Sequence, residues 1–432
     1  MTHLPRLDLS SLDALPLDAS TKGLPYATSP LTVGEVGTRG WNVLDGDLPM
    51  PLAVIRQQVV EANSAWMSAF TGANDLVIAP HGKTTMSPHL FDLQVRDGAW
   101  AITVATVQQL EVCLRFGVKR VLIANQPVGQ QAIDACFRAL QRDGVELYCL
   151  ADSPAGLALL AEGAGRLAPP QGNPLRVLVE MGFAGGRTGA RSRDQAIDVA
   201  RAVARTPGMV LGGFECFEGL LPTAEAADGL IDDVAALTVA ALEEGLFVDG
   251  QPVVLSAGGS SFFDRVGERF NRVQFNRPVV KVLRSGCYLT HDSISYAAAF
   301  ERIISDTSLK LPAGRLEAAL EVWAQVQSRP EDGRAMLNMG KRDVSFDAGM
   351  PLPLRWFRPG EMTKPEAIAA GHKVVALNDQ HCHLETPADS PLRPGDMVAF
   401  GIGHPCTTFD KWQMLVLVDE DYRVTKALKT FF

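Results

Sequence analysis

The stretch RVLIANQPVGQQAIDACFRALQRDGVELYCLA, residues 120–151, contains the unit from which the fold is predicted. It begins and ends with nearly continuous apolar runs, at residues 120–125 and 146–151, which enclose a longer segment with helical spacing. Uninterrupted apolar runs are typical of parallel strands that are buried on both faces. The stretch therefore predicts a strand, an amphipathic helix and a second strand.

The same unit recurs along the chain. Eight apolar runs, each followed by a longer helical segment, lie at residues 76–80, 101–106, 120–125, 146–151, 176–181, 212–217, 252–258 and 279–286. Several of the helical segments end in glycine, as helix C-termini often do. Eight such units within about 215 residues fit the usual span of a TIM-type (β/α)8 barrel. A doubly wound open sheet is the alternative, since periodicity does not distinguish an open sheet from a closed one.

A second domain is predicted after residue 300, where the texture of the sequence changes. Residues 316–327 alternate between apolar and polar, and residues 414–428 resemble a hairpin with a polar connection. We therefore predict an α/β protein with a (β/α)8 barrel at residues 46–300 and a mostly β C-terminal domain at 301–432. Residues 1–45 are expected to pack with the β domain.

Composition limits the class of function. The chain of 432 residues has 40 Lys and Arg against 49 Asp and Glu, a net charge of −9, and no basic run. This balance argues against a nucleic-acid partner and favours a small-molecule substrate. No signal-peptide pattern and no run of about 18 apolar residues is present, so we expect neither export nor membrane insertion. Seven scattered cysteines indicate reduced thiols and a cytoplasmic protein.

The segment APHGKTTMSP, residues 79–88, places Lys83 directly after the first predicted strand. Catalytic groups of barrel enzymes lie at this C-terminal end of the strands. A lysine beside an apolar strand is partly desolvated, which favours the neutral amine that forms Schiff bases. The alternative is an ordinary surface lysine in a loop.

Two loops rich in small residues follow the seventh and eighth strands, where barrels commonly bind a phosphate group. They are AGGSSFFD, residues 257–264, and RSGCY, residues 284–288. The candidate phosphate-binding residues are Gly258, Gly259, Ser260, Gly286 and Cys287. Each segment alone is also compatible with a simple turn.

A metal site is predicted near the end of the chain. In GHPCTTFD, His404 and Cys406 are separated by one residue, and His381 and His383 lie upstream in QHCHLE. Imidazole and thiolate suit Zn²⁺ better than Mg²⁺ or Ca²⁺, although another divalent metal stays open. If the pair lies on a strand, both side chains share one face. A buried cysteine beside a loop histidine is the alternative.

Taken together, these motifs resemble the D-serine dehydratase and D-threonine aldolase family. This family is the metal-assisted branch of the alanine-racemase-like, fold-type III pyridoxal phosphate enzymes, and the resemblance extends from about residue 63 to the end. PHGKTT looks like its Schiff-base motif and GGRTG like its arginine motif. SAGGSS and RSGCY look like its phosphate loops, and DQHCHLE and GHPC like its metal motifs.

The resemblance implies roles for particular residues. Lys83 would carry pyridoxal 5'-phosphate, Arg187 would lie against the pyridine nitrogen, and His404 with Cys406 would hold the metal. His81 and Tyr288 belong to the same cofactor motifs, and His381 is a candidate catalytic proton-transfer group. The chain departs from the family pattern at Phe217, where a tyrosine is usual. A homodimer is also implied.

The activity implied is that of a lyase acting on a D-3-hydroxy amino acid such as D-serine or D-threonine. The resemblance implies His-x-Cys at the metal motif for the family's dehydratases and His-x-Asp for its aldolases. Cys406 therefore favours a dehydratase that releases a 2-oxo acid and ammonia. One alternative is an aldolase that produces glycine and an aldehyde. The other is a non-catalytic pyridoxal phosphate carrier, which would need no metal.

Overall fold

The first elements of the chain lie outside the barrel in the computed structural model, which describes residues 4–27 and 29–432. Helix α1 (Ser10–Asp13) is followed by strands β1 (Pro16–Leu17) and β2 (Leu31–Thr32), which form a small antiparallel ribbon. A 3₁₀ helix (Val33–Thr38) leads to strand β3 (Leu52–Arg56). Leu17 and Val33 share a hydrophobic core with Trp323 of the C-terminal domain, so this segment packs on that domain.

Eight parallel strands form the barrel. They are β4 (Val77–Ile78), β5 (Ile102–Val104), β6 (Arg120–Ile123), β7 (Glu146–Ala151), β8 (Leu175–Met181), β9 (Met209–Cys216), β10 (Val253–Ala257) and β11 (Val279–Leu283). From β5 to β11 each strand pairs with its sequence neighbour, and β11 pairs with β4. A parallel bridge between His81 and Thr103 closes the ring between β4 and β5. All eight predicted strands are confirmed, and closure excludes the open sheet.

Helices surround the barrel. They are α2 (Gln57–Ala73), α3 (Pro88–Arg96), α4 (Val107–Arg115), α5 (Gln130–Leu140), α6 (Pro154–Arg166), α7 (Arg193–Arg205), α8 (Ala224–Glu243), α9 (Phe263–Arg272) and α10 (Ser295–Asp306). A Ser or Thr hydroxyl caps the N-terminus of α4, α6, α7 and α8, each worth about 1 kcal/mol. In the described part of the chain, no helix has the length and apolarity that a membrane crossing needs.

The C-terminal domain is mostly antiparallel. Its strands are β12 (Leu320–Glu331), β13 (Arg334–Leu337), β14 (Leu352–Phe357), β15 (Glu366–Ala367), β16 (Lys373–Leu377), β17 (Cys382–Glu385), β18 (Met397–Gly401), β19 (Met414–Val418) and β20 (Val424–Lys429). Strands β19 and β20 form the predicted hairpin. A short helix, α11 (Cys406–Phe409), lies between β18 and β19. The mostly β fold predicted for this region is confirmed.

Strand β3 belongs to the sheet of the C-terminal domain, although it lies in the range 46–300 predicted for the barrel. It pairs antiparallel with β12 and parallel with β19, and Leu52, Ala53, Val54 and Ile55 are fully buried. Its apolar run is as continuous as those of the barrel strands because it too is buried on both faces. The barrel therefore starts only after Arg56.

Candidate active site

A cavity of about 470 Å³ opens at the C-terminal end of the barrel strands. The barrel and the C-terminal domain both contribute to its wall, with the reactive side chains Lys83, Arg187, Glu215, Arg284, Cys287, His404 and Cys406. A larger groove of about 670 Å³ lies near the N-terminal ends of the strands, around Pro169 and Pro207. The lining of that groove is small and apolar, so the candidate site is the cavity that holds Lys83.

Lys83 lies in a tight turn directly after β4. This 3₁₀ turn (Gly82–Thr84) is held by hydrogen bonds from the Thr84 amide to the His81 carbonyl and from the Met86 amide to the Gly82 carbonyl, 3.2 and 2.9 Å. A side chain at Gly82 would come within 2.9 Å of the ring of Phe91, so only glycine fits there. The half-buried Lys83 is thereby held at the cavity wall.

The loop after β11 packs directly on this turn. A Cβ atom at Gly286 would stand 2.6 Å from the His81 carbonyl oxygen and 2.7 Å from Thr84 Oγ1, so the glycine allows the two segments to touch. Gly286 and Cys287 both line the cavity. The structure thus brings the predicted lysine segment together with one predicted phosphate loop.

The other predicted phosphate loop is partly occupied by a carboxylate. The amides of Gly258 and Gly259 donate hydrogen bonds to the buried side chain of Glu218, at 3.0 and 2.5 Å. Burial raises the pKa of this carboxyl. A phosphate group could use these two donors only in place of Glu218, whereas Ser260 faces the cavity.

Two arginines reach the cavity, and sequence alone singled out only one. The exposed Arg187 lies over the ring of Phe217, with the guanidinium carbon 4.4 Å from the ring centre. Arg284 is buried and donates hydrogen bonds to Ser256 Oγ and the Cys216 carbonyl, at 2.8 and 2.9 Å. Arg284 could have been identified from the sequence as a charged residue directly after the apolar run VVKVL.

Arg284 contacts the carboxyl group of Glu215, another residue that sequence did not single out. Glu215 is almost fully buried, and this burial raises its pKa to about 8 although the neighbouring guanidinium acts in the opposite direction. Burial also lowers the pKa of His81, and Lys83, Arg284 and Arg187 add to that effect. The base of the cavity therefore concentrates positive charge around a neutral imidazole.

We expect Glu215→Gln to flatten the fall of stability with rising pH. Between its ordinary pKa of 4.5 and about 8, folded Glu215 keeps a proton that the unfolded chain has lost. The free energy of unfolding must then decrease as the pH rises through this window. Glutamine does not titrate and so removes this pH-dependent contribution to the free energy of unfolding. The difference between melting temperatures at pH 5 and pH 8 should therefore shrink relative to the unmodified protein. An unchanged difference in thermal unfolding scans would contradict the assignment.

His404 and Cys406 meet at the cavity, and they do not lie on a strand. They follow β18, and Cys406 begins helix α11 after Pro405. Proline has no N–H to give to a strand ladder, and it turns the chain here into helix. The Nδ1 atom of His404 lies 2.6 Å from Asp347 Oδ2, and Thr407 Oγ1 donates to Asp347 Oδ1 at 2.9 Å. Asp347 therefore orients the imidazole.

The pair has the electrostatics of a thiolate beside a protonated imidazole. Hydrogen bonding from Cys287, assisted by His404 and Thr84, lowers the pKa of Cys406 to about 4. Contact with Cys406, together with Asp347, raises the pKa of His404 to about 9. A thiolate and an imidazole oriented by a carboxylate are donors that fit Zn²⁺. Within the described ranges, no third His, Cys, Asp or Glu completes a ready-made metal cluster with them.

Asp347→Asn is expected to weaken zinc retention by about 10- to 100-fold, because metal-bound imidazoles depend on such a carboxylate for orientation and basicity. Zinc content would be measured after equilibration with graded concentrations of a chelator. The exposed Asp389→Asn, in the same domain, is the matched control. Equal zinc retention in the two variants would show that Asp347 does not support the site.

Two predicted site residues lie away from the cavity. His381 is exposed on the turn between β16 and β17, and its carbonyl accepts a hydrogen bond from the Asn378 amide at 2.9 Å. Tyr288 is buried in the hydrophobic core, where its hydroxyl accepts a hydrogen bond from Gln94 at 3.1 Å. Neither side chain lines the cavity.

The cavity fits a cofactor that carries an aldehyde and a phosphate. Lys83 offers an amine, the two arginines offer cations, and the Gly286 cradle leaves backbone close to the lysine turn. His81 Nδ1 is enclosed and lacks a hydrogen-bond partner among the described residues. Such an orphaned polar atom beside a lysine and two arginines is consistent with a missing polar ligand.

The comparisons with known proteins point to one group of enzymes. A family model described as "putative serine dehydratase domain" matches residues 319–418. The 3-hydroxy-D-aspartate aldolase of Paracoccus denitrificans is 23% identical over 315 residues, which covers 71% of this chain and 76% of that protein. The D-threo-3-hydroxyaspartate dehydratase of a Delftia species is 26% identical over 377 residues, covering 84% and 92%.

The fold is also that of a solved structure. The crystal structure of D-threonine aldolase from Filomicrobium marinum matches with a TM-score of 0.70 at 24% identity, covering 89% of this chain and 95% of that one. The likeness spans both the barrel and the β domain. It establishes the shared architecture in which the cavity lies.

Proposed function

We propose that the chain belongs to the D-serine dehydratase and D-threonine aldolase family and that it is a lyase dependent on pyridoxal phosphate and zinc. Its proposed substrates are D-3-hydroxy amino acids such as D-serine or D-threonine, which it would convert to a 2-oxo acid and ammonia. One observation carries the proposal: Lys83 and the His404–Cys406 pair, from two different domains, line the same cavity.

Lys83 would have two roles. Its amine would hold pyridoxal phosphate covalently, and the cofactor would supply an electron sink for charge that develops at the substrate α-carbon. When its amine is not bound to the cofactor, Lys83 would be the group positioned to accept the α-proton as general base. The turn at Gly82–Thr84 supports both roles because it fixes the lysine backbone.

The arginines give a reason why departure of the substrate β-hydroxyl would need assistance from a metal ion. Arginine stays protonated in proteins, so Arg187 or the better buried Arg284 can hydrogen-bond a pyridine nitrogen but cannot protonate it. The cofactor would then be a weaker electron sink, and assistance at the leaving group would become important. His404 and Cys406 would hold a zinc ion, which supplies Lewis acidity. Asp347 would keep the imidazole in the orientation this requires.

Aldol cleavage is the second candidate, and the aldolases among the relatives favour it. The same lysine, arginines and metal ligands would serve a reaction in which the hydroxyl loses its proton and the Cα–Cβ bond breaks. The two outcomes differ in product: a 2-oxo acid and ammonia for elimination, glycine and an aldehyde for cleavage. Cys406 favours elimination, following the pattern of family dehydratases.

Product analysis tests the proposal. The purified protein would be incubated with D-serine, D-threonine and 3-hydroxy-D-aspartate, before and after chelation and after zinc is restored, with the L-enantiomers as controls. We expect 2-oxo acid and ammonia from the D-substrates only, lost on chelation and recovered with zinc. Glycine plus an aldehyde would move the protein to the aldolases. No product from any substrate, with cofactor still bound, would favour the carrier alternative.

A further inference from the structure

The two half-buried cysteines of the cavity, Cys287 and Cys406, lie against each other. Their Sγ atoms are 3.7 Å apart although the residues are far apart in sequence and come from different domains. Cys287 follows β11 on the barrel, and Cys406 begins α11 in the C-terminal domain. Thr84 Oγ1 is close to both sulfurs, at 4.0 and 3.5 Å. The contact is therefore part of the cavity wall beside Lys83.

The distance between the sulfurs fits shared binding of one zinc ion. Zinc binds thiolates at about 2.3 Å in tetrahedral geometry, so two thiolates on one ion stand about 3.8 Å apart. The observed 3.7 Å between Cys287 Sγ and Cys406 Sγ is close to this value. No large movement of either loop is needed to place one ion between the two sulfurs.

The number of ligands also favours a role for Cys287. Catalytic zinc ions usually have three protein ligands and one open position. His404 and Cys406 supply only two, and Cys287 Sγ lies 3.7 Å from Cys406 Sγ. Cys287 has the right donor atom and lies in contact with one of the two ligands. Among the described residues, His404 does not form a three-ligand cluster with the two sulfurs, so shared binding requires its imidazole to move toward them when the ion binds.

We propose that Cys287 is a third protein ligand of the zinc site, which makes the donor set one histidine and two cysteines. This inference rests on the proposed zinc dependence and adds a ligand from the barrel itself. The fourth position stays open to the substrate hydroxyl. The metal would then connect the loop after β11 to α11 and bridge the two domains at the cavity.

Cobalt substitution tests the ligand set without using activity. Zinc would be removed from the full chain under reducing conditions and replaced with Co²⁺, whose thiolate charge-transfer absorption grows with the number of bound thiolates. We expect Cys287→Ser and Cys406→Ser each to lose about half of this absorption. Cys136→Ser, a buried cysteine on α5, is the matched control and should keep all of it. Circular dichroism would verify that each variant folds.

X-ray absorption at the zinc edge provides an independent count. Two sulfur neighbours in the unmodified protein and one in Cys287→Ser would support the inference. One sulfur in the unmodified protein, with cobalt absorption that Cys287→Ser does not change, would overturn it while the zinc site itself stands. A protein that takes up neither zinc nor cobalt would overturn both the inference and the zinc dependence on which it rests.

Discussion

Lys83→Ala is expected to reduce turnover of D-3-hydroxy amino acids to the background level. The substitution removes the amine proposed to hold the cofactor and also the group proposed to accept the α-proton. General base catalysis alone contributes about 100- to 10,000-fold, and loss of covalent cofactor attachment adds to that. Initial rates of 2-oxo acid formation and the visible absorbance of the bound cofactor would be measured together.

The control for this variant is Lys373→Ala, which removes an exposed lysine from β16. It should keep both the rate and the absorbance. If Lys83→Ala retained covalently bound cofactor and measurable turnover, another amine would have to carry the cofactor, and the assignment based on the turn after β4 would be wrong.

His404→Ala is expected to have the second largest effect, a loss of zinc and a fall of turnover by about 100-fold or more. A metal acting as a Lewis acid commonly contributes several kcal/mol, and each 1.4 kcal/mol corresponds to about a factor of ten in rate. Added zinc should not restore the rate, because the imidazole proposed to hold the ion together with Cys406 has been removed. Zinc content and turnover would be measured on the same preparation.

Cofactor loading separates this effect from general damage. Lys83 lies on a different domain from His404, so His404→Ala should keep the absorbance of bound cofactor. Loss of zinc, retention of cofactor and loss of turnover form the expected combination. A variant that kept zinc and full turnover would show that His404 is not a ligand and that its bond to Asp347 is only structural.

The barrel could be predicted because its strands carry their own signal. A parallel strand covered on both faces is apolar at nearly every position, so LVIAP and RVLIAN are visible without knowledge of their partners. Strand β3 has the same signal, yet its partners β12 and β19 are hundreds of residues away. A local pattern shows that such a run is buried, and it contains no information on which sheet buries it.

The candidate site likewise contains residues that the sequence identifies and residues that it does not. Lys83, His404 and Cys406 stand out because reactive residue types occur beside glycines or at short spacing. Asp347 and Glu215 do not stand out, since their importance comes from His404 and Arg284 alone. His404 and Cys406 do not share a strand face, because Pro405 turns that segment into helix. These features of the site depend on tertiary contacts, which residue patterns do not show.

The position of β3 has a consequence for the order in which the protein folds. Strand β3 leaves the ribosome before the whole barrel, but its parallel partner β19 is made after the barrel is complete. The intervening chain can fold into a closed ring while β3 is still without its sheet. This apolar strand then remains unpaired during synthesis, which leaves it able to form non-native strand pairs. We expect release from synthesis, and not barrel closure, to limit the formation of the second domain and of the metal half of the cavity.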